Sequence, residues 1–164
     1  MITPKLIVFD FDGVFTDNAV YVSEDGLEMV RCSREDSLGI NMLQAHNLPM
    51  LILSTESNPV VAARAKKLKL EVFQSCNNKR QFLEDYLHEH NLPAREIVYI
   101  GNDLNDLDAM RLVGFSVCPA DAHEAVREHC DLVLSKKGGH GAVRELCELA
   151  LKELGEVVNI KESK

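Results

Sequence analysis

Lys5–Asp17, which reads KLIVFDFDGVFTD, is the stretch of sequence that decides the fold. From Lys5 to Phe11 it is almost continuously apolar, the pattern of a strand that is buried on both faces of a parallel sheet. Two aspartates, Asp10 and Asp12, stand one residue apart at the end of this run. Because burying an unpaired carboxylate is costly, aspartates at the end of a core strand indicate a functional site.

The two carboxylates are predicted to act together. Residues i and i+2 of an extended segment point to the same side, so Asp10 and Asp12 would both face the crevice beyond the carboxyl end of the strand. A divalent cation bound there would neutralise them, and Gly13 would let the backbone turn sharply. The alternative interpretation is that both carboxylates only cap a turn.

Strand-like and helix-like segments alternate through the rest of the chain. Apolar runs predict strands at 50–53, 71–74, 97–100, 115–118 and 132–134, and helical spacing predicts helices at 36–47, 58–69, 78–90, 105–112, 121–129 and 142–154. This alternation predicts an α/β fold with a doubly wound, mostly parallel sheet and helices on both faces, in a single domain over residues 1–164. The polar tail at 162–164 is expected to fray.

Polar side chains follow three of the predicted strands. Asp10 follows the first, Ser54 with Thr55 the second, and Asn102 with Asp103 another. In open α/β sheets, ligands bind beyond the carboxyl ends of the strands. Convergence of these side chains on one edge favours phosphoryl chemistry over unrelated turn caps.

A hairpin is predicted between the first strand and the first helix, at about residues 18–33. Ala19–Ser23 and Leu27–Cys32 are rich in Val, Tyr and Met, and the Asp-Gly sequence between them at 25–26 is typical of a hairpin turn. Isolated hairpins are marginally stable in water, so we expect this one to pack on a neighbouring subunit.

The bulk properties exclude several classes of function. A net charge of −8 argues against sequence-independent binding of nucleic acid and against binding to anionic membranes. No apolar stretch reaches the roughly 20 residues of a membrane span, and no signal peptide precedes the first strand, so a cytoplasmic location is expected. The five cysteines are odd in number and include no CxxC pair, which predicts reduced, mostly packed thiols rather than a disulfide framework or a zinc site.

The motif DFDGVFTD at 10–17 resembles the DxDGxxTD signature of phosphatases of the haloacid dehalogenase superfamily. The resemblance implies that Asp10 is the nucleophile, which forms an aspartyl-phosphate, and that Asp12 is the general acid and base. It also implies a Mg²⁺ cofactor, a phosphate-binding Ser54 and a catalytic Lys79. Arg80, next to Lys79, is the alternative for the last role.

The fourth motif of the superfamily, GDDxND, is similar to GNDLND at 101–106. The resemblance implies metal binding by Asp10, Asp12, Asn102, Asp103 and Asp106. Asn102 stands where the family has a metal-binding aspartate, and its neutral carbonyl oxygen should bind Mg²⁺ more weakly. Either Asn102 coordinates weakly and the neighbouring aspartates compensate, or this chain has reduced activity.

A narrower resemblance covers nearly the whole chain. The small hairpin in place of a cap domain and GGHGAVRE at 138–145 are similar to the capless sugar-acid phosphatases, which act on 3-deoxy-D-manno-octulosonate (KDO) 8-phosphate or on nine-carbon esters. Thr55 and Glu56 replace the Gly and Arg of most eight-carbon members, which favours a nine-carbon 9-phosphate of 2-keto-3-deoxynononate (KDN) or a sialic acid. The resemblance implies that Glu56, Arg64 and Lys67 bind the substrate.

The same resemblance implies a homotetramer in which the hairpin of one subunit covers the site of another. Excluding bulk water favours phosphoryl transfer, and this chain has too small an insertion to do so alone. Two further alternatives stay open at this point. They are a KDO 8-phosphate phosphatase and a catalytically weak oligomerisation domain associated with a sialic-acid cytidylyltransferase.

Overall fold

Within residues 1–155, the part of the chain that the computed structural model describes, eight strands and six α-helices alternate. The strands are β1 Leu6–Phe9, β2 Thr16–Val22, β3 Glu28–Cys32, β4 Met50–Leu53, β5 Glu71–Phe73, β6 Ile97–Ile100, β7 Phe115–Cys118 and β8 Leu132–Val133. The helices are α1 Arg34–Ala45, α2 Pro59–Leu68, α3 Lys79–Glu89, α4 Leu107–Met110, α5 Glu124–His129 and α6 Ala142–Glu153. The tail that was predicted to fray at 162–164 lies outside the described residues.

Six of the strands form one parallel sheet in the order β5-β4-β1-β6-β7-β8. The chain first moves outward from β1 to β4 and β5, then returns to the other side of β1 and moves outward again through β6, β7 and β8. This reversal next to β1 leaves a crevice at the carboxyl ends of the central strands. The predicted doubly wound α/β fold is confirmed.

Both faces of β1 are buried, which is why its sequence is a continuous apolar run. Ile7 and Phe9 pack in the cluster that includes α1, α2 and α6, whereas Leu6 and Val8 pack in the opposite cluster with α3, α4 and α5. All four residues of the strand are essentially inaccessible. None of the helices within residues 1–155 is long and apolar enough to cross a membrane.

Two predicted helices differ from the observed ones near the crevice. The helix predicted at 105–112 is a 3₁₀ turn at Leu104–Asp106 followed by the single-turn α4, because Asp103 and Asp106 form a reciprocal capping box that tightens the turn. The helix predicted at 121–129 begins only at Glu124. The carboxylate of Asp121 instead accepts the N–H of Gly138, 2.9 Å away, which keeps this residue in the loop.

The predicted hairpin is present as the antiparallel pair β2 and β3, which forms a sheet of its own. Its turn is closed by Ser23, whose N–H donates to Leu27 O and whose hydroxyl accepts the Leu27 N–H. Its apolar side chains are more than half exposed: Val20, Tyr21, Val22, Leu27 and Met29. The two-stranded sheet therefore carries an exposed apolar surface.

Candidate active site

The carboxyl ends of β1, β4 and β6 place polar side chains from three distant parts of the sequence around one cavity. These strands are neighbours in the parallel sheet, so the residues that follow them meet at the same edge. The cavity has a volume of about 100 Å³. It is lined by Asp10, Asp12, Asn18, Ser54, Thr55, Glu56, Asn102, Asp103 and Asn105.

Behind the cavity, Lys79 joins two buried carboxylates. Its side chain, at the first position of α3, is 1% exposed, and Nζ lies 2.7 Å from Asp10 Oδ1 and 2.7 Å from Asp106 Oδ1. Tyr99 also donates its hydroxyl to Asp106 Oδ1, at 2.8 Å. Arg80 instead pairs with Glu84 on the exposed face of α3, so the structure places Lys79, not Arg80, beside Asp10.

Burial and like charges shift the ionisation of these groups. Burial, with a further contribution from Asp106, raises the pKa of Asp10 to about 7, although Lys79 opposes the shift. Burial lowers the pKa of Lys79, but Asp10 and Asp106 outweigh it and the net shift is upward. Lys79 therefore remains an ammonium, and it is the charge that makes two buried carboxylates tolerable.

Asp12 lies at the mouth of the cavity with a carboxyl group that holds its proton more tightly than usual. Burial raises its pKa, Glu56 raises it further, and a hydrogen bond from the Thr16 hydroxyl to Oδ1 at 3.3 Å opposes the shift. A carboxyl group with a raised pKa next to a phosphate-sized cavity can serve as a proton donor.

Asn102 presents its side-chain oxygen to two other acceptors. This atom lies 3.1 Å from Asp10 Oδ2 and 2.8 Å from the main-chain oxygen of Asp12. Turning the amide over would let its NH₂ group donate to both oxygens, and a cation among the three oxygens would equally satisfy them. In octahedral Mg²⁺ coordination, neighbouring ligand oxygens are about 3 Å apart, so the donor set fits this ion.

Gly13 makes room for Asn102. A Cβ atom at position 13 would lie 2.0 Å from Asn102 Nδ2, and the φ angle of +75° is one that side chains other than glycine rarely allow. The glycine-rich loop before α6 packs on the same turn, since a Cβ atom at Gly138 would lie 2.0 Å from Gly13 O. Close backbone approach therefore fixes the loop that carries Asp10 and Asp12.

The predicted metal ligands occupy different positions in this arrangement. Asp10, the main-chain oxygen of Asp12 and Asn102 converge, whereas Asp103 lines the cavity and caps the 3₁₀ turn by accepting the Leu104 N–H at 2.7 Å. Both oxygens of Asp106 are engaged, Oδ1 by Lys79 and Tyr99 and Oδ2 by two main-chain N–H groups. The geometry favours Asp106 as an anchor for Lys79 and for the loop rather than as a metal ligand.

Within residues 1–155, no group of three or more acidic, histidine or cysteine side chains is arranged to hold a metal ion. The physical reason is the composition of the donor set, in which one oxygen comes from an amide and one from the main chain. With Asn102 in place of an aspartate, Asp10 supplies the one carboxylate among the three converging oxygens.

Ser54 and Glu56 line the side of the cavity that β4 provides. The Ser54 hydroxyl accepts the N–H of Glu56 at 3.1 Å, which leaves its proton available to an anion in the cavity. Beyond them lies a groove of about 250 Å³ between the hairpin and the start of α2. The groove is lined by Asp12, Asn18, Ala19, Val20, Glu28, Val30, Glu56, Asn58, Val60 and Val61.

The structure does not bring Arg64 and Lys67 to this groove. The Arg64 guanidinium donates to Ser33 O at 2.8 Å and to the Ser37 hydroxyl at 3.1 Å, both at the start of α1, and Lys67 is exposed. The reason is the direction of α2, which begins beside the groove at Asn58 and carries position 64 about 9 Å along its axis. Substrate binding by these two residues is not supported within one chain.

Sequence reasoning missed three residues of the site. Tyr99 stands within an apolar run and so has no motif of its own; the available signal is that a buried tyrosine usually needs a partner for its hydroxyl. Asn18 was overlooked because its φ of +62° in β2, which turns it toward the cavity, leaves no mark in the sequence. Glu28 was overlooked because the hairpin was expected to contribute only across subunits; here its carboxylate accepts the Asn58 side-chain amide.

Comparisons with known proteins identify a family. The sequence model of the family of haloacid dehalogenase-like hydrolases matches residues 46–146. The 3-deoxy-D-manno-octulosonate 8-phosphate phosphatase of Salmonella typhi is 32% identical in an alignment 152 residues long, which covers 82% of this chain and 81% of that protein.

Two solved structures are similar along almost the whole chain. A 3-deoxy-D-manno-octulosonate 8-phosphate phosphatase from Moraxella catarrhalis, in complex with a magnesium ion, a phosphate ion and a KDO molecule, is 32% identical, with a TM-score of 0.88 over 92% of this chain and 87% of its own. A Streptomyces avermitilis MA-4680 chain assigned to the HAD hydrolases, with no substrate named, is 44% identical, with a TM-score of 0.89 over 91% of this chain and 86% of its own.

Proposed function

The chain belongs to the haloacid dehalogenase-like hydrolase family and is a phosphoric monoester hydrolase, and we propose that its substrate is a phosphorylated 2-keto-3-deoxy sugar acid. The observation that carries the catalytic assignment is the position of Asp10, whose two carboxylate oxygens face Lys79 and Asn102 at the floor of the cavity. This carboxylate is held in one orientation and is accessible from the cavity.

Asp10 is the proposed nucleophile. Its carboxylate attacks the phosphorus atom, and the bond from phosphorus to the sugar oxygen breaks as the bond to Asp10 forms. Lys79 orients the attacking group through the 2.7 Å contact, and the Ser54 hydroxyl donates to an oxygen of the phosphoryl group. The product of this step is an aspartyl-phosphate.

Asp12 is the proposed general acid and then the general base. Its raised pKa keeps a proton available for the leaving sugar oxygen, and the resulting carboxylate takes a proton from the water that hydrolyses the aspartyl-phosphate. The second step returns Asp10 as a carboxylate and Asp12 as an acid, and it releases inorganic phosphate.

The negative charges of the substrate and of the cavity require a cation for the reaction. A phosphomonoester dianion would enter a cavity whose residues Asp10 and Glu56 are acidic, with Lys79 already shared between two carboxylates. Mg²⁺, held by Asp10, the main-chain oxygen of Asp12 and Asn102, would supply positive charge that offsets the phosphate and the attacking carboxylate. Asn102 in this set is the reason to expect weaker Mg²⁺ binding than an aspartate at the same position would give.

The eight-carbon ester KDO 8-phosphate is the first candidate substrate. The curated relative named above and the Moraxella structure are both phosphatases of this compound, which supports it better than the nine-carbon esters that the sequence favoured. The nine-carbon 9-phosphates stay a second candidate because of Glu56. Its carboxylate lines the groove next to Asp12, where it can accept hydrogen bonds from sugar hydroxyls.

A second subunit is proposed to complete the site. The exposed apolar hairpin needs a partner surface, and a sugar carboxylate needs a cation, whereas the groove lining contains three acidic residues and no lysine or arginine. A homotetramer whose hairpins cover neighbouring sites would meet both needs. Light scattering at micromolar concentration tests this proposal, and a monomer would contradict it. The double variant Tyr21→Ser with Met29→Ser should weaken the assembly. The control Leu38→Ser, which changes an exposed residue in α1, should not.

Phosphate release is the experiment that tests the function. We expect Mg²⁺-dependent release from KDO 8-phosphate and from the nine-carbon 9-phosphates, loss of activity with EDTA, and little release from glucose 6-phosphate. Glu56→Gln should raise KM for the preferred ester more than it changes kcat. Absence of release from every sugar-acid ester, together with activity of Asn102→Asp, would instead favour the catalytically weak domain.

A further inference from the structure

Two cysteines that do not line the proposed active-site cavity lie in contact with each other. Cys118 is the last residue of β7 and Cys130 directly follows α5, and their Sγ atoms are 3.3 Å apart. Eleven residues separate them in the sequence, so no short cysteine motif marks the pair. The contact arises because α5 folds back over β7 before the chain enters β8.

The two thiols differ in their access to solvent. Cys118 is buried, and burial, followed by the hydrogen bond with Cys130, raises the pKa of its thiol. Cys130 is only partly buried, and its sulfur also approaches Leu132 O at 3.4 Å. A reagent in solution therefore reaches Cys130 first, and Cys118 stands behind it as the second thiol.

We propose that Cys118 and Cys130 form a reversible disulfide modification site whose oxidant is a low-molecular-weight disulfide such as oxidised glutathione. The Cys130 thiolate attacks one sulfur of the reagent, which forms a mixed disulfide and releases one reagent thiol. Cys118 then attacks Cys130 Sγ, loses its proton to solvent and releases the second reagent thiol. Two protein thiols are oxidised to one disulfide while one disulfide reagent is reduced to two thiols.

The geometry requires only a small movement. A disulfide bond is about 2.05 Å long, so the sulfur atoms would approach each other by roughly 1 Å. The segment that the bond would close contacts the active-site loops at two points. The His123 N–H donates to Asn102 O at 2.8 Å, and Asp121 accepts the Gly138 N–H at 2.9 Å. Oxidation of the pair is therefore expected to restrain the loop that carries Asn102.

Mass spectrometry of the native, full-length protein after incubation with oxidised glutathione tests the proposal. The wild type should lose two hydrogens and give a cross-linked peptide that contains Cys118 and Cys130. Cys118→Ser should stop at a glutathione adduct on Cys130, and Cys130→Ser should give no cross-link. Cys76→Ser changes a partly buried cysteine outside the pair and is the matched control, which should cross-link like the wild type.

Two readouts separate this proposal from a pair of merely packed thiols. Hydrogen exchange of the oxidised protein should slow at 102–106 and reverse with dithiothreitol, and thermal unfolding should remain cooperative. A glutathione adduct on wild-type Cys130 without a cross-link would overturn the proposal. So would a cross-link that forms only in urea. Neither readout depends on phosphatase activity.

Discussion

Asp10 and Asp36 are two buried carboxylates in different surroundings. Burial raises the pKa of both, that of Asp10 to about 7 and that of Asp36 to about 6. Asp10 has the Lys79 ammonium 2.7 Å away and lines a cavity. Asp36 lies in α1 against α6, where Oδ1 accepts the Arg144 N–H at 3.0 Å and Oδ2 has no hydrogen-bond partner.

The comparison shows that a raised pKa does not by itself mark a catalytic residue. Asp36 caps a helix: the N-cap residue of α6 is Gly141, which has no side chain to cap it, and the Asp36 carboxylate accepts one of the first N–H groups of the helix. Asp10 combines burial with a cation and with access to a cavity. These two additional features are the ones that chemistry requires, and each can be removed separately.

Asp10→Asn should give the largest effect. The amide cannot act as the nucleophile, so kcat should fall by at least roughly 1,000-fold while the protein remains folded. Asp36→Asn is the matched control, because it makes the same change at the buried carboxylate outside the cavity and should keep kcat within about threefold. Phosphate release at saturating Mg²⁺ measures both, and similar losses in the two variants would break the comparison.

Lys79→Met should be the most destabilising of the single changes. It leaves Asp10 and Asp106 buried without their cation, which should lower the free energy of unfolding by about 3–5 kcal/mol. Urea unfolding at pH 7 measures this. Arg80→Met, one residue along on the exposed face of α3, should change stability by less than about 0.5 kcal/mol. Equal stability of Lys79→Met and the wild type would contradict the assigned role of the ammonium.

Asn102→Asp should increase the difference between the surroundings of Asp10 and those of Asp36. A second carboxylate ligand beside Asp10 should raise the affinity for Mg²⁺ by about tenfold, since each added ligand charge strengthens the binding of a hard cation. Calorimetric titration with Mg²⁺ measures the affinity directly. Asn105→Asp adds the same charge at the cavity wall, away from the three converging oxygens, and should change the affinity less. A larger gain at position 105 would place the cation elsewhere.

Asp36→Asn should give the smallest effect, a change in how the free energy of unfolding depends on pH. The folded pKa of Asp36, about 6, lies above the ordinary aspartate value of 3.8, so the folded state holds the proton more tightly, and the group's stabilising contribution is lost as the pH rises from about 4 to 6. Asp36→Asn, which stays neutral, should equal the wild type near pH 4 and exceed it by about 1–2 kcal/mol at pH 7. Urea unfolding at both pH values measures the difference, and a variant less stable than the wild type at pH 7 would show that the charge is needed.

The sequence predicted the sheet well because buried parallel strands are uninterrupted apolar runs. The runs at Met50–Leu53 and Ile97–Ile100 match β4 and β6 residue for residue. The same logic predicted that Asp10, Ser54 and Asn102 would lie together, because the carboxyl ends of neighbouring strands share one edge. Their chemical roles stay predictions until tested.

Other features depend on contacts that no local pattern encodes. The reciprocal cap between Asp103 and Asp106 shortens a predicted helix, and the fit of Asn102 against Gly13 joins residues 89 positions apart. Arg64 was expected at the substrate, but it is hydrogen-bonded to the start of α1. Asp36 was assigned only to the start of a helix, since its burial depends on the packing of α6.

The most direct test of the account is to locate the phosphoryl group on the enzyme. Acid-quenched protein from a reaction with Mg²⁺ and KDO 8-phosphate, or with the nine-carbon ester if that is the faster substrate, would be reduced with borohydride, which converts an aspartyl-phosphate to homoserine. Peptide mass analysis should then find homoserine at position 10 in the wild type and at no position in Asp10→Asn. Homoserine at another carboxylate, or steady turnover without any at position 10, would contradict the claim that the carboxylate held by Lys79 is the nucleophile.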